Sequence, residues 1–253
     1  MNNLFDLKGK TILITGSSRG IGLEIACTLA QYDGNIILHG HKKSTKLDNA
    51  LKEVLTYTDK CKAYVSDFSK TKDILRFTNL LLKDYKKIDV LILNASMQKK
   101  QNWKDIIEKD FDEQINTNLK SSLLLIQQLA PNMIKQKHGR IISIGSINQN
   151  KQHPDMVVYS ATKSAQMNMI MNFSRQFAKY GITVNNIAPG VIKTDRNTQA
   201  LSDKKYHKEV LSKIPVGFIG EPKDCVGAAL LLSSNAGRYI TGQNIFVAGG
   251  MDL

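Results

Sequence analysis

A phenol and an ammonium stand four positions apart in "YSATK", residues 159–163. If this segment is helical, positions i and i+4 share one face, and Lys163 can place its charge beside the oxygen of Tyr159. Lowering the pKa of a tyrosine from ~10 to ~7 takes roughly 4 kcal/mol, which one charge supplies at about 4 Å in an effective dielectric of about 20. Such a pair could transfer a proton at neutral pH. An amphipathic helix surface is the alternative interpretation of this spacing.

A second motif that could do chemistry is "TGSSRGIG", residues 15–22, where an apolar run passes through glycines into an amphipathic segment. Strand, glycine turn and helix start are the context of a dinucleotide site. Gly16 and Gly20 would let the backbone approach a pyrophosphate, and Gly22 would permit close helix packing. A glycine turn that simply ends a strand is the alternative, but the position favours a dinucleotide.

The residues at the end of the second predicted strand indicate which dinucleotide the protein would bind. An acid that receives the ribose hydroxyls of NAD normally stands there. Here the stretch reads "LHGHKKS", with Gly40 at that position and His41, Lys42 and Lys43 after it, while Arg19 projects from the glycine turn. These cations suit a 2′-phosphate, so NADP(H) is predicted and NAD(H) remains open. Lysines that only decorate a loop are the alternative.

These motifs need a scaffold, and short apolar runs alternate with longer amphipathic ones along the chain. The alternation predicts a Rossmann-like α/β three-layer sandwich: a seven-stranded, mostly parallel, doubly wound sheet with helices on both faces. Ligands bind beyond the carboxyl ends of such strands. The predicted strands are "TILIT", "NIILH", "KAYVS", "VLILN", "RIISIG", "ITVNNIA" and "NIFVA", and the predicted helices lie near 20–31, 45–57, 70–86, 110–137, 155–180 and 222–234.

Length and composition favour one domain over residues 1–253. Hydrophobic residues make up 42% of the chain, and no low-complexity tract or linker rich in Pro, Gly and Ser interrupts it. The start, "MNNLFDLKGK", has no apolar stretch long enough for a signal peptide, and apolar runs such as "AALLL" are far shorter than the ~18 residues of a membrane span. A cytoplasmic protein without membrane contact is therefore expected.

Charge and cysteine content restrict the kinds of binding partner and metal or disulfide site that the chain can have. Cys27, Cys61 and Cys225 are odd in number and far apart, which predicts reduced packing residues rather than disulfides or a metal site. The formal net charge is +13, with lysines in small groups such as "HKKSTK" and "DKKYHK". Without interleaved aromatic residues these groups favour solvated faces, an acidic partner or an anionic substrate over nucleic acid.

Taken together, the motifs resemble the short-chain dehydrogenase/reductase family over essentially the whole chain. The residues that carry the resemblance are "TGSSRGIG", "LNAS" at 93–96, Asn118 in "NTNLKSS", Ser146 in "IGSIN", "YSATK" and "APGVIKT" at 188–194. Their order and spacing match the family's. The resemblance implies that Tyr159 donates the proton to a carbonyl oxygen, or accepts it in the reverse direction. It further implies that Lys163 favours ionisation of Tyr159 and holds the nicotinamide ribose, that Ser146 hydrogen-bonds the reacting oxygen, and that Asn118 holds a water linking Lys163 to solvent.

The same resemblance implies the cofactor site. Asp67 would bind the adenine, unless it caps the next helix, and Ile192 and Thr194 would contact the nicotinamide amide. Leu93, Ser96 and Ala248 depart from the family's pattern. The implied cofactor-binding residues are Gly16, Ser18, Arg19, Gly20, Ile21, Gly22, His41, Lys42, Asp67, Phe68, Asn94, Ala95, Tyr159, Lys163, Pro189, Gly190, Ile192 and Thr194.

We therefore predict an NADP(H)-dependent oxidoreductase that acts on a carbonyl or secondary alcohol. Loop sequences such as "QKK" and "NTQAL" are similar to sugar-acid dehydrogenases of the family, and Lys99, Lys100 and Arg196 could pair with a substrate carboxylate. The alternative is 3-oxoacyl-acyl-carrier-protein reduction, in which Lys137 matches one basic docking residue while Tyr180, beside Lys179, departs from the other. A non-catalytic cofactor-binding regulatory protein is the alternative from another class.

The predicted helices 110–137 and 155–180 are long, and the second carries Met167, Met169 and Met171 on positions that cannot all face one core. In the family these two helices build a tetramer, so the resemblance implies a homotetramer. An ordinary buried helix is the alternative.

Overall fold

The computed structural model describes residues 3–253, whose strands form one parallel sheet. The strand order is β3-β2-β1-β4-β5-β6-β7, and every pairing is parallel. This confirms the predicted doubly wound fold. The strands are β1 (Thr11–Ile14), β2 (Asn35–Gly40), β3 (Cys61–Val65), β4 (Val90–Leu93), β5 (Gly139–Ile144), β6 (Ile182–Pro189) and β7 (Asn244–Val247).

Helices cover both faces of the sheet. Strand residues alternate between the faces, so Ile12 and Ile14 pack into one core with α1, α2 and α9, while Leu13 packs into the other with α3, α5 and α6. The helices are α1 (Gly20–Gln31), α2 (Thr45–Val54), α3 (Thr71–Asp84), α4 (Glu108–Ile115), α5 (Ser121–Gln136), α6 (Val157–Phe177), α7 (Asp195–Leu201), α8 (Lys204–Leu211) and α9 (Val226–Ser233).

Two features of the helices differ from the sequence-based expectation. The helix expected over 110–137 begins at Glu108 and is interrupted by a π-helical turn at Asn116–Lys120, between α4 and α5. In this turn the amide of Ser121 bonds to the carbonyl of Asn116, and such turns occur often at functional sites. The stretch after β6, for which we predicted no helix, forms α7 and α8.

Membrane insertion would require a long apolar helix. Within residues 3–253, no helix combines the length and the apolar character needed to cross a bilayer.

Candidate active site

A cavity of about 710 Å³ lies at the carboxyl ends of the strands and brings most of the predicted site residues together. It is lined by residues that follow β1, β4, β5 and β6, as expected for a parallel sheet. Asn118, Lys42 and Asp67 are not among its lining residues. The predicted residues that do line it are Gly16, Ser18, Arg19, Gly20, Ile21, Gly22, His41, Phe68, Asn94, Ala95, Ser146, Tyr159, Lys163, Pro189, Gly190, Ile192 and Thr194.

Tyr159 and Lys163 both lie on the first turns of α6, on the face that the cavity and the sheet bury. The Nζ atom of Lys163 lies 5.9 Å from the centroid of the Tyr159 ring. Tyr159 is 5% exposed and Lys163 only 1%. The sequence spacing therefore reflects a helix that places the charge next to the phenol.

The ammonium of Lys163 is held by two oxygens inside the protein. Nζ donates to the carbonyl of Ile144 at 2.7 Å and to Oε1 of Gln166 at 3.0 Å. An ammonium has three N–H bonds, so the third can point to a molecule in the cavity. Burial, together with the positive charge of Arg196, lowers the pKa of Lys163 to about 7.

Ser146 lies two residues beyond β5, in extended backbone that starts a short 3₁₀ turn. Its Oγ accepts a hydrogen bond from the amide of Asn148 at 3.1 Å, and the residue lines the cavity. Because the oxygen is the acceptor in that bond, the hydroxyl hydrogen can be donated into the cavity.

Asn118 sits in the π-helical turn and is fully buried. Its side chain accepts from the amide of Met97 at 2.7 Å and donates to the carbonyl of Met97 at 2.8 Å. It also donates to Oγ1 of Thr162, between Tyr159 and Lys163, at 3.0 Å. The side-chain amide therefore ties the loop after β4 to α6, and the predicted water would share the backbone carbonyl of Asn118 with Oγ of Ser122, which donates to it at 3.1 Å.

The glycine turn has the shape that a pyrophosphate site requires. Gly16 has φ +64°, and a Cβ there would come within 2.7 Å of Ala95 Cα. A Cβ on Gly22 would come within 2.4 Å of Nδ2 of Asn94, which donates to the carbonyls of Thr15 and Gly16 at 2.9 Å each. The side chain of Arg19 does not cap the first turn of α1, so the backbone amides of that turn can bind an anion.

His39 is a residue of this site that the sequence reasoning missed. It is buried at the end of β2, and its Nδ1 accepts from the amide of Gly16 at 3.1 Å, while Nε2 lies 3.0 Å from the carbonyl of Ser66. Its ring stacks on Phe68 with centroids 3.9 Å apart. Burial lowers the pKa of His39 to about 4, so the neutral ring holds the glycine turn. The only signal was a histidine in an otherwise apolar strand.

The cations expected at the adenosine end are arranged differently from the expectation. Arg19 donates to Oδ2 of Asp195 at 3.0 Å, and Lys46, which we had not singled out, contacts the same oxygen at 2.6 Å. Lys42 is exposed in the loop before α2. Of the predicted cations, Arg19 therefore lies beside Lys46, which was not predicted, with the carboxylate of Asp195 between them.

Asp67 follows β3 and accepts from the amide and the hydroxyl of Ser69 at 3.0 and 2.7 Å. Lys70 lies 3.0 Å and His41 3.4 Å from its carboxylate. Burial alone would raise the pKa of Asp67, but the hydrogen bonds from Ser69 and Lys70 outweigh it and lower the pKa to about 2. Asp67 therefore stabilises the turn before α3 but does not cap that helix, whose N-cap is Lys70.

The opposite end of the cavity is basic. Lys100 and His153 line it from the loops after β4 and β5, and Arg196 and Lys213 line it from the segment after β6. Lys99 does not line it, because its ammonium binds Asp110 and Glu113 on α4. Of the three cations considered for a substrate carboxylate, Lys100 and Arg196 are therefore in place and Lys99 is not.

Two of the departures from the family's pattern have local contacts. The Oγ and carbonyl of Ser96 accept from Arg196 at 3.2 and 3.0 Å, so Ser96 anchors a cation of the basic end. Ala248 packs closely on Gly190, where a Cβ would come within 2.9 Å of Ala248 Cα. Leu93 is a buried core residue at the end of β4.

Comparison with known proteins places this geometry in context. A profile of the short chain dehydrogenase family matches residues 10–205. A gluconate 5-dehydrogenase of Gluconobacter oxydans is 30% identical over 251 residues, which cover 99% of this chain and 98% of that protein. A 3-oxoacyl-[acyl-carrier-protein] reductase of Rickettsia prowazekii is 37% identical over 250 residues, 98% of this chain and 99% of that protein. The crystal structure of a gluconate 5-dehydrogenase from Burkholderia cenocepacia, in complex with NADP and tartrate, superimposes with a TM-score of 0.92 at 29% identity and covers 98% of this chain and 97% of that one.

Proposed function

Because the chain belongs to the short-chain dehydrogenase/reductase family of oxidoreductases, we propose that it moves a hydride between NADP(H) and a carbonyl or secondary alcohol. The observation that carries this proposal is that Tyr159 and Lys163 line the same cavity as the glycine turn before α1. A dinucleotide held at that turn would extend along the cavity toward the two side chains. A protein that only binds a cofactor has no need of this arrangement.

When bound, the nicotinamide supplies or takes up the hydride. In reduction, Tyr159 donates its phenolic proton to the substrate oxygen, and in oxidation it accepts the alcohol proton. The charge of Lys163 stabilises the tyrosinate, and its third N–H is free to hold a ribose hydroxyl. Ser146 donates its hydroxyl hydrogen to the reacting oxygen as charge develops. Asn118 fixes the loop after β4, and its carbonyl can hold the water that links Lys163 to solvent.

Replacing Tyr159 by Phe tests this mechanism, because it keeps the packing and removes only the proton donor. We expect turnover to fall by at least ~100-fold while NADPH binding is retained. Tyr32→Phe, on the far end of α1 from the cavity, is the matched control and should keep full turnover. Unchanged turnover in Tyr159→Phe would refute the assignment. Cofactor binding with no turnover of any carbonyl by the wild type would favour the regulatory alternative.

NADP(H) is proposed over NAD(H) on the charges around the adenosine end. Arg19 and Lys46 converge there, with His41 and Lys42 in the adjoining loop, and a phosphate oxygen would pair with them. The relative from Burkholderia cenocepacia binds NADP in its crystal structure. These observations support the phosphorylated cofactor.

A polyhydroxylated sugar acid is the proposed substrate class. The basic end of the cavity, with Lys100 and Arg196, suits a carboxylate, and polar side chains of α7 and α8 suit hydroxyl groups. Two relatives are gluconate 5-dehydrogenases, and one of them holds tartrate, a hydroxylated dicarboxylate. Apolar side chains such as Leu201 and Val210 line the cavity as well, so the cations Lys100 and Arg196 are what favours the sugar acid over an acyl chain.

Reduction of 3-oxoacyl carrier protein is the second candidate. A relative of that name has 37% identity, higher than the gluconate 5-dehydrogenase. Lys137 is exposed at the end of α5, close to Gly181, so the Lys137 and Lys179 segments adjoin. Docking of an acidic carrier protein on these two lysines would support this function.

For the whole protein, we propose one domain over residues 1–253 that assembles as a homotetramer in the cytoplasm. Exposed apolar side chains support assembly. Trp103, Ile107 and Phe111 are exposed at and before α4, and Val157 is exposed at the start of α6. The methionines of α6 are only half-buried. Exposed apolar patches of this kind often mark subunit interfaces.

A further inference from the structure

Gln166 contacts the Lys163 ammonium from inside the protein. It lies one turn after Lys163 on α6, is fully buried, and is not a lining residue of the cavity. We propose that Gln166, held by Ser122, is a positioning residue for Lys163, which fixes the place of the charge and the ease with which it loses its proton. This inference rests on the proposed function, because it matters for turnover only if Lys163 acts on Tyr159.

A directional chain of hydrogen bonds supports this role. Lys163 Nζ donates to Oε1 of Gln166 at 3.0 Å, and Nε2 of Gln166 donates to Oγ of Ser122 at 2.8 Å. Ser122 then donates to the carbonyl of Asn118 at 3.1 Å. An ammonium has only donors, so Gln166 must present its oxygen to Lys163 and its NH₂ group to Ser122. The chain therefore fixes the orientation of the amide.

Packing alone does not explain a glutamine at this position. A buried amide loses its contacts with water, and this cost is offset only by hydrogen bonds. A methionine would fill a similar volume without that cost. What an amide adds is an acceptor for Lys163 and a donor for Ser122, so the two ends of Gln166 join the π-helical turn to the ammonium.

The charges around Lys163 make this acceptor important. Arg196 on α7 is a like charge, and Tyr159 is the titratable group on the same helix. On α4, which packs against α6, Asp110 and Glu113 are bound by Lys99. Over residues 3–253, no carboxylate lies within ion-pair distance of Lys163. Neutral oxygens of Gln166 and Ile144 therefore stabilise the charged form against burial.

The direction in which each substitution shifts the pKa of Lys163 follows from these contacts. Gln166→Met removes one acceptor from the ammonium, so the pKa of Lys163 should fall by about one unit. Gln166→Glu places a carboxylate at the same distance, so that pKa should rise by one unit or more, as for other close opposite charges. Ser122→Ala leaves the amide unanchored and should lower the pKa by less than Gln166→Met does. A residue that only fills space would not shift the pKa in opposite directions.

The experiment is a titration of the Lys163 side-chain nitrogen by NMR in ¹⁵N-lysine-labelled protein, with assignment by Lys163→Met. Gln114→Met, a change of another buried glutamine, is the matched control and should leave the titration unchanged. Circular dichroism and NADPH binding check the fold of each variant. If both Gln166 variants titrate as the wild type does, the role of Gln166 is wrong.

Turnover gives a second measurement. The substrate is 5-ketogluconate with NADPH, or acetoacetyl thioester if the wild type reduces only that. The pH at which turnover falls on the alkaline side should be lower in Gln166→Met and higher in Gln166→Glu than in the wild type. This pH depends on the protonated Lys163, so the two shifts should match the NMR values. Normal turnover in Tyr159→Phe would contradict the proposed function, whereas unchanged pH profiles in both Gln166 variants would contradict only this inference.

Discussion

Asp195 is the residue that places a negative charge among the cations of the adenosine end. Its Oδ2 atom binds both Arg19 and Lys46, and all three side chains are more than half exposed. A 2′-phosphate would compete with this carboxylate for the same two cations. The cofactor preference should therefore depend on Asp195 as well as on the cations themselves.

Titration with both reduced cofactors, followed by nicotinamide fluorescence, tests this point. We expect NADPH to bind more tightly than NADH, and Arg19→Ala or Lys42→Ala to reduce the difference. Asp195→Asn should tighten NADPH binding by about two- to fivefold, in line with the modest strength of exposed ion pairs, and leave NADH binding unchanged. Lys52→Ala, on the outer part of α2, is the control. Equal affinity for NADH in the wild type would show that these cations do not select the cofactor.

The residues of the site differ in how far the sequence could predict them. Tyr159 and Lys163 share a helix, so their spacing alone predicts their proximity. Gln166 lies one turn after Lys163 on the same helix, but its hydrogen bond to Ser122 joins α6 to α5 and depends on how these two helices pack. Lys46 and Asp195 come from segments far apart in sequence. The hydrophobic periodicity of a single segment does not predict such contacts, because they arise only from tertiary packing.

At the scale of elements, α7 and α8 determine what can enter the basic end of the cavity. The stretch that encodes them is rich in charged and polar residues, and no helix was predicted there; the two helices have only seven and eight residues. α8 begins with an N-cap, where Asp203 accepts from the amide of Tyr206 at 2.7 Å. Its side chains Tyr206 and Glu209 line the cavity, as does Lys213 just after the helix, so this segment contributes directly to substrate selection.

Substrate selection can be tested by comparing keto acids of the 5-ketogluconate type with an acetoacetyl thioester under NADPH. We expect faster reduction of the keto acid. Lys100→Ala should raise its KM by about tenfold and change kcat by less than about twofold, since a carboxylate contact is present before and during the reaction. Lys205→Ala, exposed on α8, should change neither. Fast reduction of the thioester alone would instead favour the carrier-protein function.

The π-helical turn shows why one predicted element was wrong in detail. Residues 110–137 have the periodicity of a helix, and the backbone is helical on both sides of the turn. The turn brings Asn118 to the loop after β4, where it binds the backbone of Met97 in two hydrogen bonds. That partner lies outside the helix, so the local sequence contains no information about it.

At the scale of the whole molecule, the alternation of apolar and amphipathic segments predicted all seven strands and the layers that cover them. It succeeded because a parallel sheet buries its strands on both faces, which leaves short continuous apolar runs in the sequence. The same burial does not specify how copies of the chain associate. Assembly depends on exposed side chains, whose pattern also fits a monomer.

Light scattering of the purified protein tests that assembly. We expect a particle with four copies of the 28.2 kDa chain. Phe111→Glu or Val157→Glu should produce smaller particles, because each would bury a charge in the proposed interface. Leu80→Glu, an exposed apolar residue on α3, should leave the particle size unchanged. A monomeric wild type would rule out the tetramer.

The strand order also has a consequence for synthesis on the ribosome. β1 lies between β2 and β4, and Ile12 pairs with Val90, so one edge of β1 has no partner until β4 has emerged. During that interval the nascent chain exposes the unpaired backbone groups of an apolar strand, a feature that promotes aggregation. Translation pauses or chaperone contacts would therefore matter most between the emergence of β3 and that of β4.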